Sequence, residues 1–271
     1  MDSGIREGFV AVKFSILVVC LNPGAKLAET VESIRKQEYR DYEIIVKDGG
    51  SKDGSAGLLP ADEKIRLIEK KDTGIYDAMN QAVSEAAGEY VLFLNCGDLF
   101  YDGQVLTRTA EAMEKNPGKG IYYGDTYCRK TDSLQTAPGR MTPFQCFRNI
   151  PCHQSCFYAR RLFADRKYLP EYRIRADYEH FLRCVLKQKE EAVHLPFTVA
   201  AYEGGGYSES KENRRRDKEE HRLITKKYLT GTQLFFCRAY LVVTLVPLRR
   251  YLAENKKFAA AYEKIKAGIR K

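Results

Sequence analysis

Two acidic loops stand where a chain of this kind binds ligands. Asp48-Gly-Gly-Ser-Lys-Asp-Gly54 follows the apolar run Tyr42–Lys47, and Asn95-Cys-Gly-Asp98 follows Glu89–Leu94. Each run reads as a strand, and open α/β sheets bind ligands in the crevice outside the carboxyl ends of their strands. Asp48 can accept a hydrogen bond from a base N–H or a ribose hydroxyl, while Gly49 and Gly50 let the backbone come close. Ordinary turn and cap chemistry would use Asp48-Gly-Gly and Asp53-Gly in the same way. Asp98 can give one carboxylate to a hard cation, Mg2+ or Mn2+, that bridges a diphosphate and fills its other positions with phosphate and water. Asn95 can add a carbonyl oxygen or touch a sugar, whereas Cys96 is a poor partner for such an ion. The competing role for Asp98 is to cap the helix that follows.

Farther along, Asp72-Thr-Gly74-Ile-Tyr-Asp-Ala-Met-Asn80 opens a helix whose electropositive N-terminus suits a donor phosphate or sugar, and a plainly capped helix would look the same. Asp177, in Arg175-Ala-Asp177-Tyr-Glu179, is the candidate base for removing a proton from an incoming hydroxyl. Glu179 competes for that role from another face of the same helix. His153 and Gln154 can bond phosphate or sugar, or serve the structure alone. Cys152-His153-x-x-Cys156 has half of a zinc site, and no second Cys/His pair at suitable spacing completes it. Gly204-Gly-Gly-Tyr-Ser208 reads as a mobile loop over donor and acceptor, or as a plain connection.

The elements that must position these groups alternate strand with helix: Phe14–Leu21, a helix over 25–37, Tyr42–Lys47, a helix near Ser55, Ile65–Glu69, a helix over 75–87, Tyr90–Leu94 and a helix over 104–115. That order predicts parallel strands with helical crossovers. After Gly120 it changes. A strand is expected over 121–129, a turn-rich stretch over 131–147, a short strand over 155–158, a helix over 177–189, a strand over 192–202 and a charged helix over 212–229. The expected class is α/β, with a mixed, mainly parallel Rossmann-like sheet flanked by helices and a helical basic extension.

The chain has 271 residues and a net charge of +9, but residues 211–271 alone hold 17 Lys/Arg against 6 Asp/Glu, so the rest is slightly acidic. The expected division is an extension over 1–13, an α/β domain over 14–210 that carries the candidate site, and a basic helical region over 211–271. Leu234–Leu248 is apolar but too short, and too interrupted by Arg238, for a span of roughly 20 residues. With Arg249, Arg250, Lys256 and Lys257 behind it, the segment suits an interfacial helix on an anionic membrane, and it equally suits a packing or dimer helix. No sustained apolar core follows the charges of the first 13 residues, so a cytoplasmic protein is expected, peripheral on the inner face of the membrane if the tail binds lipid. The 8 cysteines show no regular pairing, in keeping with a reducing compartment.

Taken together, Ser15–Asn22, Asp48–Gly54, Gly74–Asn80, Phe93–Asp98, His153-Gln154 and Ala176–Glu179 resemble the family-two glycosyltransferases of GT-A fold. The likeness is strongest to the non-processive enzymes that build bacterial capsule, exopolysaccharide or O-antigen units. It covers residues 14–210. The resemblance implies inverting transfer from a nucleotide-diphosphate-sugar to a saccharide or polyprenyl-diphosphate-linked acceptor. It further implies Asn22, Asp48, Asp72, Gly74, Asn80, Asn95 and His153 on the donor, Asp98 at Mn2+ or Mg2+, and Asp177 as general base. Asn95 and Gly97 stand where many relatives have acids, which implies altered metal ligation. With no Trp in the chain, the Gln-x-x-Arg-Trp motif of processive synthases is absent.

Three other classes compete with this reading. Nucleic-acid binding through the tail leaves the acidic loops unexplained, so no nucleic-acid partner is expected. A nicotinamide oxidoreductase lacks its Gly-x-Gly-x-x-Gly after the first strand. A non-catalytic nucleotide-sugar-binding partner of a membrane assembly complex is the alternative to the enzyme. The sugar, the linkage and the oligomeric state are not written in these motifs.

Overall fold

The structure is a computed structural model that describes residues 12–204 and 213–244. The first eleven residues, the glycine-rich loop past Gly204 and the cations from Arg249 onward therefore lie outside the described residues.

A run of apolar residues with no polar alternation folds as a strand buried on both faces. Phe14–Cys20 (β1) is such a run, and its six residues Phe14–Val19 are all buried at the centre of the sheet. Tyr42–Asp48 (β2) and Tyr90–Phe93 (β4) lie parallel to it on either side, and Ile65–Glu69 (β3) extends the parallel part beyond β2. Leu99–Phe100 (β5), Ile121–Cys128 (β6), Ser133–Gln135 (β7), Cys156–Ala159 (β8) and Ala192–Tyr202 (β9) complete it. The order is β3-β2-β1-β4-β8-β6-β9-β5, with β7 on the end of β6. Pairing turns antiparallel at β4/β8, stays so at β8/β6, returns to parallel at β6/β9 and is antiparallel at β9/β5. The mixed, mainly parallel α/β sheet expected from the sequence is thus present.

Helices Lys26–Arg35 (α1), Ile75–Glu85 (α2) and Val105–Lys115 (α3) pack their apolar faces on it. Gly88, the bend into β4, has no room for a side chain, since a Cβ would come within 2.5 Å of the Ser15 backbone nitrogen. Three local expectations give way. The helix near Ser55 is one short 3-10 turn, Ser55–Leu58, because Gly54 and Gly57 deny it propensity. The turn-rich stretch holds β7 and a short helix, Pro143–Arg148 (α4), started by Pro143 and capped by Thr142. The helix over 177–189 divides into Ala176–Leu182 (α5) and a π-helical turn, Arg183–Lys187.

Asn213–Tyr228 (α6) and Gly231–Val243 (α7) follow. Helix α6 is built into the main body, since Ile224 is fully buried in the same cluster as the sheet residues. Helix α7 sits on a smaller cluster of Phe147, Leu229, Leu234 and Cys237. No helix among the described residues is long and apolar enough to cross a membrane.

Candidate active site

Both acidic loops hang from the end of β1. Gly49 donates its N–H to the Cys20 carbonyl at 2.9 Å, and Cys96 donates to Val19 at 3.3 Å. This follows from topology, because β2 and β4 are the two parallel neighbours of β1 and their carboxyl ends must emerge beside its own. Cys20 lies between the loops, and burial, with the negative field of Asp48, pushes its thiol up to about 12.

Asp48 is 1% exposed. Its Oδ1 accepts from the N–H groups of Gly50 and Ser51 at 2.9 and 2.8 Å and from the Ser51 hydroxyl at 2.7 Å, which is turn chemistry. Its Oδ2 is buried without a partner among the described residues, so one acceptor is still free for a ligand. Asn22, in the left-handed region at φ 48°, takes the Lys52 N–H on its Oδ1 and gives its own N–H to Ser51. It thereby ties the β1 loop to the β2 loop. Asp53 caps Ser55 and accepts the Gly24 N–H at 2.8 Å.

Asp72 is occupied by structure. The fully buried Lys47 donates to its Oδ2 at 2.8 Å and to the Asp48 carbonyl at 3.1 Å, and Gly74 donates to its Oδ1. Gly49 is required here, since a Cβ would lie 2.8 Å from Asp72 Oδ2. Asp77 takes the Thr73 N–H, so the start of α2 already carries two carboxylates. Gly74, at φ 142°, makes the turn into α2. Asn80 clamps Tyr168, accepting its N–H and donating to its carbonyl, both at 2.9 Å.

Asn95, Asp98, His153 and Asp177 line one cleft of about 450 Å3. Asp98 is 8% exposed. Its Oδ2 accepts from Gln154 at 2.9 Å and its Oδ1 from the Glu203 N–H at 3.2 Å, the second contact being set by β5 pairing with β9. Gln154 is steadied in turn by the Cys152 thiol, which donates to its Oε1. Burial pushes the Asp98 carboxyl above its ordinary range, with Gln154, His153 and Arg129 opposing. No cluster of three His, Cys, Asp or Glu capable of holding a metal occurs among the described residues. A divalent cation would therefore have Asp98 as its carboxylate and take its remaining oxygens from phosphate and water. The residues fit that arrangement, since each Asp98 oxygen keeps a lone pair and the nearby Cys96 thiol, pushed up to about 12 by burial, stays protonated.

Across the cleft, Asp177 begins α5 with its side chain 18% exposed. Tyr76 donates to its Oδ1 at 2.8 Å, and His153 Nδ1 lies 3.4 Å from its Oδ2. The other ring nitrogen of His153 meets the Asn95 amide nitrogen at 3.0 Å, which leaves Nδ1 to carry the proton toward Asp177. Burial alone would raise the Asp177 carboxyl, but the hydrogen bond from His153, with that from the Tyr76 hydroxyl, brings it below its ordinary value. Asp177 is thus held as an acceptor at neutral pH. Glu179, the competing acid, is fully buried and committed to Arg166, Lys227 and Tyr228, which fastens α6 to α5.

The chain ahead of Asp177 is gripped by α6. Glu220, 6% exposed, accepts the N–H groups of Arg173, Ile174 and Arg175 at 3.0, 3.0 and 2.9 Å. Asp217 pairs with the Arg175 guanidinium at 2.7 Å. Sequence patterns single out neither Tyr76 nor Glu220, although Tyr76 lies inside the Gly74–Asn80 motif. A second cleft of about 790 Å3 shares with the first the wall formed by Asn149–Cys152, Arg175 and Asp217.

Residues 15–170 match the family model described as Glycosyl transferase family 2. A "PGL/p-HBAD biosynthesis glycosyltransferase" of Mycobacterium bovis is 35% identical over 205 residues, which are 73% of this chain and 80% of that protein. "Glycosyltransferase GlyG" of Streptococcus pneumoniae is 33% identical over 40% of this chain and 38% of its own. Among solved structures, S. aureus TarS 1-349 in complex with UDP-GlcNAc superposes with a TM-score of 0.65 at 19% identity, over 79% of this chain and 65% of that one. The chain thus spans slightly less than two thirds of that structure. The mannosyltransferase PcManGT from Pyrobaculum calidifontis, in complex with GDP-Man and Mn2+, superposes with a TM-score of 0.63 at 15% identity, over 93% of this chain and 85% of that one. The fold is GT-A-like.

Proposed function

We propose, from the premise that the chain belongs to glycosyl transferase family 2, that it moves a sugar from a nucleotide-diphosphate-sugar to a saccharide acceptor, with inversion. The reading extends to an acceptor that is lipid-linked, of the polyprenyl-diphosphate kind. The setting is assembly of a cell-surface glycan, of capsule, exopolysaccharide or O-antigen type, at the cytoplasmic face of the membrane. The catalytic unit is assigned to residues 14–210, with 211–271 as its basic extension.

The observation that carries this reading is one cleft with Asp98 on one side and, on the other, Asp177 held as an acceptor by Tyr76 and His153. Asp48, with one buried free oxygen at the end of β2, is placed on the donor base or ribose. Asn22 is placed with it on the donor, tied to the Asp48 loop through Ser51 and Lys52. Asn95 and His153 face the donor sugar, while Asp72, Gly74 and Asn80 support the donor side through Lys47, the turn into α2 and Tyr168. Asp177 accepts the proton of the acceptor hydroxyl as that oxygen attacks the anomeric carbon and the nucleotide diphosphate departs from the opposite side, so one displacement inverts the centre. When Mn2+ or Mg2+ is bound at Asp98, charge developing on the departing diphosphate is offset there. The nucleotide-sugar complexes of TarS and PcManGT, and the Mn2+ of the latter, support the donor class and the cation.

The test is a calorimetric titration with uridine, guanosine and thymidine diphosphates and their sugars, with and without Mn2+, on wild type, Asp98→Ala and Asp177→Asn. The expected result is metal-dependent binding of one nucleotide class, lost in Asp98→Ala and kept in Asp177→Asn, with transfer lost in both. Donor binding accompanied by unchanged transfer in Asp177→Asn would remove the base from its role. Binding without any turnover in wild type would favour the non-catalytic partner.

A further inference from the structure

Helix α7 is apolar on two faces, and only one of them is used. Leu234, Cys237 and Leu241 repeat at helical spacing toward Phe144, Phe147 and Leu229. On the other side Phe235, Phe236, Val242 and Val243 are 66%, 65%, 66% and 79% exposed. The two phenylalanines touch each other edge-on, with ring centroids 5.6 Å apart. A surface helix of a protein surrounded by water keeps that side polar, so this face has an occupant.

The charges on the adjoining helix α6 bear on which occupant fits. Arg214, Lys218, Arg222 and Lys226 lie four residues apart along α6, all exposed and without ion-pair partners among the described residues. Helices α6 and α7 touch, and the sequence beyond, residues 245–271, adds 8 Lys/Arg against 2 Asp/Glu. A second copy of the chain would bring two such cationic segments together, and like charges repel. Nucleic acid would satisfy the cations but gives Val242 and Val243 nothing apolar to enter. Aromatic and aliphatic side chains next to a row of cations match an anionic lipid surface, where rings enter the headgroup boundary and cations meet phosphates.

We infer that the outward face of α7, together with the exposed cations of the adjoining α6, docks this protein on an anionic lipid surface. Resting on the transferase reading, the docking also gives the acceptor its class: a saccharide carried by a lipid in that surface. The structural link is that Leu241 of α7 and Lys218 and His221 of α6 line the 790 Å3 cleft that adjoins Asp177.

The test is flotation of the full chain with phosphatidylcholine vesicles, with and without phosphatidylglycerol, at low and high salt. Wild type is expected to float with the anionic vesicles and to be partly released by salt. Phe235→Ser/Phe236→Ser/Val243→Ser is expected to lose partitioning by roughly tenfold or more, each ring being a large share of the apolar area that enters. Nucleotide-diphosphate binding by that variant should be unchanged. The chain has no tryptophan, so Val243→Trp gives one reporter at an exposed position, and its emission should shift to the blue on adding the anionic vesicles. Equal flotation of wild type and triple variant, or an unshifted reporter, overturns the inference. Self-association abolished by the triple variant without flotation would assign the face to a second copy, and retention on nucleic acid alone would assign it there. Flotation by a chain that binds no nucleotide would leave the surface standing and sink the transferase reading instead.

Discussion

The Tyr76 hydroxyl stands 2.8 Å from Asp177 Oδ1 and has a second acceptor, the Ile174 carbonyl, at 2.7 Å. A phenol has one proton, so it serves one of the two at a time or is shared between them. While Asp177 is ionised the proton favours the carboxylate. Once Asp177 has taken a proton, Tyr76 can turn to Ile174 and accept from the acid. The pair suits a carboxylate that must change protonation state without losing its partner.

Tyr76→Phe should therefore slow transfer while leaving nucleotide binding alone. A hydrogen bond to a charged group is worth about 1.5–3 kcal/mol, which is on the order of 10- to 100-fold in rate. Steady-state kinetics beside calorimetry checks this, and an unchanged kcat would refute it.

His153→Ala removes the group that most opposes the burial of Asp177. The Asp177 carboxyl should then rise, and the acid limb of the pH–rate profile should move up with it. For stability the sign is that of a depressed acid. Asp177 contributes above its unfolded pKa, near 3.8, and that contribution is lost as pH falls through the lower folded value. In the variant the lowering is reversed, so stability near neutrality falls and the share of the pH dependence below about 4 that belongs to Asp177 is lost. A rate profile whose acid limb stays in place would contradict the assignment.

Glu220→Ala leaves three consecutive backbone N–H groups without their acceptor. At about 1–3 kcal/mol for buried donors left unsatisfied, thermal melting should show a clear loss of stability. The same variant should lower kcat more than it weakens nucleotide binding, because the loop it frees carries Asp177 and not the donor pocket. Glu220→Gln should recover part of the stability, since one oxygen can still accept. Equal loss of kcat and of donor binding would mean that the loop does not act through Asp177.

His180 is a buried, neutral imidazole used as an aromatic. It stacks on Phe163 at 4.3 Å, meets Tyr158 and Tyr168 edge-on, and has no hydrogen-bond partner on either nitrogen among the described residues. Burial, with Arg183 and Arg166 nearby, drops it well below its ordinary 6.5. Its neutral form is favoured in the fold, so stability is complete above about 6.5 and falls as acid protonates the unfolded chain, by up to about 1.4 kcal/mol per pH unit. His180→Phe should flatten the melting temperature between pH 6.5 and 5, and a slope as steep as that of wild type would refute this.

Much of the sheet was legible because its strands are continuous apolar runs, and Ala192–Tyr202 has the bounds that its residues imply. The position of both acidic loops was legible too, since neighbouring parallel strands must end together. Strand β5 was not: it is two residues long and exists through pairing with β9, a hundred residues away. Glu220 could not be read either, because one acid in a charged helix looks like its neighbours until packing brings three N–H groups to it. Helical spacing put Asp177 and Glu179 on different faces, but only the fold shows that Glu179 is spent on Arg166, Lys227 and Tyr228. Asn80 and Asp72 share a motif with Tyr76, yet their side chains are absorbed by Tyr168 and Lys47.

The change from parallel to antiparallel pairing at β4/β8 divides labour within one continuous sheet. Asn22, Asp48 and Asp72 belong to the side of β1–β3, while β6, β7, α4, α6 and α7 line the second cleft. Asp98 and Glu203 are the stitch between them. A chimaera that exchanges residues 121–170 and 173–244 together for those of a relative should inherit a new acceptor preference and keep its old nucleotide. An exchange that separates Asp177 from Glu220 should inherit neither, because the graft would part a lever from its fulcrum.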